Sequence, residues 1–167
     1  MDPTRTTRRD ALRAAASLGA TVLAAAALAE ETAPAAPAPL AHFSFTKLQV
    51  ADLEKCAAFY TSVAGLTEQS RVDTDSGGRK LSEIIFNATM PGGASFVLIH
   101  YYDSPKPVVG ELILGFYTSD IDGFAARAVA AGGSIVREPW EITEMKLRVA
   151  FVADPEGHVI EIVEEQA

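Results

Sequence analysis

Apolar residues at helical spacing occur twice in the chain, each time behind a short run of strand character. Leu48-Gln49-Val50-Ala51-Asp52-Leu53 leads into Leu53, Cys56, Ala57, Tyr60 and Ala64, an i, i+3, i+4, i+7 stripe. Asp52 is placed to cap that helix and to complement its dipole, and Gly65 to end it. Further along the scheme returns: Phe116-Tyr117-Thr118-Ser119-Asp120-Ile121 leads into Ile121, Phe124, Ala125 and Ala128, closed by Gly132-Gly133. Asp120 stands where Asp52 stood. Three strand-like runs follow each helix, at 67–72, 80–86 and 95–101, then at 134–142, 146–152 and 158–163. Residues 73–78, 91–93 and Asp154-Pro155-Glu156-Gly157 supply turns between them. The pattern predicts an α+β fold of two βαβββ repeats, over 43–105 and 110–165. One repeat alone would leave a sheet face bare, so two must pack or pair.

The segment ahead of these repeats has a different character. Arg8-Arg9 is followed by an alanine-rich apolar stretch from Ala14 to Ala26 and by Ala27-Leu28-Ala29, a small-x-small cleavage pattern. Residues 1–29 therefore read as an export signal, of the twin-arginine kind or, given Ala11 where a bulkier residue is usual, of the general secretory kind. Such a leader implies a periplasmic or otherwise exported protein. Residues 30–42, with Pro34, Pro37 and Pro39, read as an extended linker. The repeats at 43–165 form the folded domain.

Charge narrows the range of partners. The chain carries a net −8, and outside the leader residues 30–167 hold 10 bases against 20 acids. Nucleic acid is an unsuitable partner for such a surface. No apolar stretch outside the leader approaches the ~20 residues of a membrane span. The lone Cys56 forms no intrachain disulfide and sits on an apolar stripe, as a small buried hydrophobe does; a reactive thiolate would need basic neighbours.

Three pieces resemble the vicinal oxygen chelate superfamily, which includes glyoxalase I, extradiol dioxygenases and bleomycin-resistance proteins. They are L-Q-V-A-D-L before a helix with Phe59-Tyr60 and Gly65-Leu66, the second Y-T-S-D-I helix ending in A-A-G-G, and D-P-E-G-H-V-I-E-I at 154–162. The resemblance implies a glyoxalase-like cup of curved mixed sheet, with metal ligands on the first and last strand of each repeat. Those positions fall at Phe45, Val97, Ile113 and Glu161. One carboxylate among three hydrocarbon side chains predicts no metal and no other cofactor, since a catalytic metal site takes about three protein ligands. Period two sends His100 to the face opposite Val97; a slip of one residue would bring it into the cup.

Alternation fills the rest of the cup. Phe45, Lys47 and Gln49 share a face, as do Ile113, Gly115 and Tyr117, then Val97, Ile99 and Tyr101, then Val159, Glu161 and Val163. The result is a mainly apolar small-molecule pocket with a few polar groups. Lys47 and Glu161 are the expected pair within it, as a salt bridge in place of a metal or as a proton-transfer site. Arg148 is a candidate fork for a carboxylate, and Trp140 near the rim reads as packing or as a recognition surface. Three functions stay open. The first is metal-free binding of a small organic molecule; the second is a metal-independent lyase or isomerase with Glu161 as base and Lys47, Tyr117 or Arg148 supporting the oxyanion. The third is a metal enzyme with unusual ligands including Glu161 and His100. A homodimer is the expected assembly, with the cup closed between chains as one arrangement.

Overall fold

The computed structural model describes residues 41–166 apart from Pro105, Pro107 and Glu111. The expected leader, and the expected linker up to residue 40, lie outside the described residues. From Phe45 the elements run β1 (Phe45–Gln49), α1 (Leu53–Ala64), β2 (Glu68–Ser76), β3 (Arg79–Phe86) and β4 (Ser95–Tyr101). The second repeat runs β5 (Ile113–Tyr117), α2 (Ile121–Ala130), β6 (Ser134–Ile142), β7 (Leu147–Ala153) and β8 (Val159–Glu165), with a short 3-10 turn between β6 and β7. The fold is α+β with two βαβββ repeats, as the pattern predicts.

Local chemistry explains the elements. The Asp52 carboxylate accepts from the Lys55 N–H at the start of α1, and Gly65 ends it in the left-handed region at φ +68°. Asp120 caps α2 in the same way through the Gly123 N–H. The turn expected over 73–78 is tighter than the composition suggested. β2 runs on to Ser76, and only Gly77 and Gly78, both at positive φ, separate it from Arg79. A two-residue loop of that hand matches strand twist and requires residues that tolerate positive φ, so the preceding polar residues remain in the strand.

Each repeat forms its own four-stranded sheet, ordered β1-β4-β3-β2 and β5-β8-β7-β6. The first and last strands pair in parallel, β1 with β4 and β5 with β8, and the other pairs are antiparallel. One face of each sheet carries a helix. The helix-side residues of both repeats, including Leu48, Phe59, Tyr60, Leu98, Phe124, Ala150, Ile160 and Ile162, merge into a single core. The repeats approach closely there: a methyl group on Gly133 would stand 2.8 Å from the Phe59 ring and 2.3 Å from the Ala153 carbonyl oxygen.

A buried polar knot joins the repeats at the β7–β8 turn. Asp154 is 3% exposed and His158 4%. One Asp154 oxygen accepts from the backbone N–H groups of Glu156 and His158. The other is shared by the His158 ring at 2.9 Å and the Tyr60 hydroxyl of the first repeat at 3.1 Å. Glu156 reaches across as well, accepting from the Ala51 and Asp52 N–H groups ahead of α1. Burial alone would push the Asp154 carboxyl up and the His158 ring down. Their mutual hydrogen bond and opposite charges reverse both, leaving Asp154 below the usual carboxylate range and His158 above the usual imidazole range. Cys56, fully buried nearby, has its thiol pushed up by burial and by the Asp154 and Glu156 charges, so it is an inert core residue.

The knot makes stability depend on pH. Asp154 contributes above its unfolded-state range near 4, and His158 contributes below its unfolded-state value near 6.5 and loses that contribution as pH rises through its higher folded value. The melting temperature should be higher at pH 5.5 than at pH 8.5. His158→Asn should flatten that difference in scanning calorimetry. An unchanged pH profile in the variant would show that the pair carries no charge in the folded protein.

Candidate functional site

The faces away from the helices carry the expected alternation. On β1, Phe45 and Lys47 are exposed and Gln49 is half-buried, while Leu48 faces the core. On β5, Ile113, Gly115 and Tyr117 are exposed with Leu114 and Phe116 turned inward; on β8, Val159, Glu161 and Val163 are half-buried between buried Ile160 and Ile162. The ladders fix the equivalence of the repeats. Gly115 stands opposite Glu161 with Ile113 two residues earlier, and Lys47 stands opposite Val97 with Phe45 two residues earlier. Val97 is therefore the first-repeat counterpart of Glu161. His100 lies off this face: its Nδ1 is 3.0 Å from the Val50 carbonyl oxygen, and it pairs across the sheet with Ser82. The one-residue slip that would make it a ligand does not occur.

Phe45, Val97, Ile113 and Glu161 do not fit a divalent metal. Three offer only carbon, and a cation among them would meet uncompensated apolar surface. Among the described residues no three His, Cys, Asp or Glu side chains converge elsewhere.

Two expected placements differ in the structure. Lys47 pairs with Glu83 on β3, in its own sheet, and not with Glu161. Glu83 lies opposite Ile99, and its side chain is 10% exposed against 41% for Lys47. Ser44, Phe45, Lys47, Glu83, Ile85, Ser95 and Val97 together line a cavity of about 380 Å³. Arg148 points to the helix side, where its guanidinium makes a two-pronged pair with Asp122 at 2.9 and 3.0 Å and a further bond to Glu164 at 3.0 Å. It is unavailable to a ligand on the open face. Gln49 is also engaged, donating to the Ser104 carbonyl and hydroxyl oxygens, and Tyr101 lies beneath the Arg79 guanidinium at 4.0 Å.

On the second sheet Glu161 stands opposite both Gly115 on β5 and Phe151 on β7. Among the described residues its carboxylate has no ion-pair partner. Phe151 packs on Trp140 with ring centroids 5.8 Å apart and planes 23° apart. Strict alternation would set Arg137 and Trp140 on opposite faces. β6 shifts register between them, at Glu138-Pro139, where proline offers no N–H to the ladder, and both side chains come to the open face. Each sheet thus presents a face of its own away from its helix, with the hydrogen-bonded ladders ending at β1 and β5.

The comparisons agree with this architecture. Residues 40–162 match the family model described as Glyoxalase/Bleomycin resistance protein/Dioxygenase superfamily. The chain belongs to that superfamily. A probable lactoylglutathione lyase from Synechocystis is 28% identical over 123 residues, covering 71% of this chain and 92% of that protein. The lactoylglutathione lyase of Neisseria meningitidis serogroup A is 27% identical over 124 residues, covering 73% and 89%. Among solved structures, a glyoxalase family protein from Bacillus cereus superposes with a TM-score of 0.66 at 20% identity, covering 81% of this chain and all of that one. That likeness concerns the fold.

Removing either partner of the Lys47–Glu83 pair should have unequal effects. Without Lys47 the buried Glu83 carboxylate has no compensation, whereas without Glu83 the half-exposed ammonium turns to water. Lys47→Met should therefore cost about 1–3 kcal/mol in urea unfolding and Glu83→Gln clearly less. Equal losses would mean the pair is not anchored by Glu83 burial.

Proposed function

We propose that this superfamily member binds a small organic molecule between the open face of one repeat and that of another, without a divalent metal. The supporting observation is the quartet Phe45, Val97, Ile113 and Glu161, three hydrocarbon side chains and one acid at the positions where the resemblance implies ligands. Phe45 and Ile113 are each 55% exposed and Tyr117 73%. Apolar side chains so placed on both faces favour closure by a second copy of the chain, first-repeat face over second-repeat face. The leader, in this proposal, directs the protein out of the cytoplasm.

A second reading has support in Glu161, which has no ion-pair partner among the described residues. Beside the Phe151 ring, with the Gly115 gap adjoining, its carboxylate can take a proton from a hydroxyl-bearing carbon next to a carbonyl and return it to the carbonyl carbon, while the hydroxyl proton passes to the former carbonyl oxygen, so that hydroxyl and carbonyl exchange places. That is lyase or isomerase chemistry carried by a side chain in place of a metal, and the relatives are named lactoylglutathione lyases.

Phe45→Asp and Ile113→Asp introduce charge on exposed positions, leaving the core intact. Each should convert a sedimenting dimer to monomer and abolish ligand-induced thermal stabilisation; a wild-type monomer that binds ligand equally well contradicts the shared site. Where turnover is found, Glu161→Gln should lower kcat by about 10²–10⁴-fold with KM little changed. A fully active variant rules Glu161 out as the base.

A further inference from the structure

Resting on the reading that the open face of the second sheet takes a small molecule, the arrangement there points to its chemical class. Glu161, Phe151 and Arg137 stand opposite one another on β8, β7 and β6, forming a row across one face. Neighbouring strands lie about 5 Å apart, so the backbone positions of the acid and the base are about 10 Å apart with Phe151 between them. At the Glu161 end, Gly115 contributes no side chain, and a Cβ placed there would meet nothing within 4 Å. At the other end the Arg137 guanidinium lies 3.5 Å from the centre of the Trp140 indole, against its face.

Arg137 differs from the other described arginines. Arg71, Arg79, Arg127 and Arg148 each pair with an aspartate or glutamate, whereas Arg137 has no acidic partner among the described residues. This holds although acids outnumber bases 22 to 14 in the chain. Stacking uses the face of a guanidinium and leaves the N–H groups along its edge available, in the plane suited to a carboxylate. Trp140 and Phe151 stack on one another beside that edge and supply its apolar aromatic surroundings. A cationic fork, an aromatic pair, an acid at the far end and an empty space beyond it form a directional surface.

We propose that the molecule bound here is a planar aromatic organic acid. Its carboxylate meets the Arg137 fork, its ring lies along Phe151 and Trp140, and the end opposite the carboxylate reaches Glu161 and the space left by Gly115. The orientation follows from charge: the reverse placement sets carboxylate against carboxylate. Arg137 acts as a specificity residue that selects and orients the anion, leaving any proton transfer to Glu161.

The chain has one tryptophan, so Trp140 reports on its own site. Titration of the full chain with benzoate should change indole emission saturably. Benzamide, with the ring but no charge, and acetate, with the charge but no ring, should each bind at least about tenfold more weakly, the loss expected when a charge-assisted bond or the stacking surface is removed. Arg137→Leu should weaken benzoate by a similar factor, and Arg137→Lys by an intermediate one; calorimetry separates lost binding from a changed indole environment. Arg137 is exposed, so neither variant disturbs the core. Equal affinity for benzoate and benzamide, or an Arg137→Leu variant that binds benzoate like wild type, overturns the acid-selective site while leaving a small-molecule site in place. No response to any of the three probes overturns both.

Discussion

Parallel pairing of the first and last strands is the constraint on which the site depends. In each repeat it brings two distant segments into one ladder, Lys47 against Val97 and Gly115 against Glu161. Because side chains alternate, the same pairing that turns Leu48, Leu98, Leu114 and Ile162 toward the helices turns Phe45, Val97, Ile113 and Glu161 away from them. A one-residue slip would place four apolar side chains in the open and the acid in the core. The register that builds the core therefore also sets the chemistry of the open faces.

Superfamily membership fixes the architecture without fixing the reaction, since one fold can carry many activities. This chain carries hydrocarbon at three of the four positions where the resemblance implies ligands, and separate polar equipment on each face. The first sheet holds a neutralised Lys47–Glu83 pair beside a cavity, and the second holds Glu161 and Arg137 at opposite ends of a row through Phe151. The buried Asp154–His158 knot lies at the head of β8 and also grips Tyr60 on α1, so the strand bearing Glu161 is anchored to the first repeat through hydrogen bonds. Rigid placement of the carboxylate to which the proposal gives a role requires such support.

Much of this was legible in the sequence, for identifiable reasons. Asp52, Gly65 and Asp120 mark helix ends through chemistry confined to a few residues, and the strands of both repeats show in their apolar runs. Glu83 escaped because Ile84-Ile85-Phe86 is apolar on both faces, so period two does not say which face the preceding acid takes. Arg148 failed for a related reason: its neighbours Leu147 and Val149 lie on one face, and the apolar core positions Ala150 and Val152 that share its own face did not advertise the helix-side acids Asp122 and Glu164. Arg137 was hidden by the register shift at Glu138-Pro139, for which the proline was the available signal. How the faces of the two sheets meet was not legible, because alternation within a strand carries no information about it.

Metal binding probes the chemistry of the four corner positions most directly. Calorimetric titration of the metal-stripped full chain with Zn²⁺, Ni²⁺ and Mn²⁺ should show no stoichiometric high-affinity event that depends on residue 161. One ion per chain, or one per pair of chains, bound tightly by wild type and lost in Glu161→Gln would contradict the account.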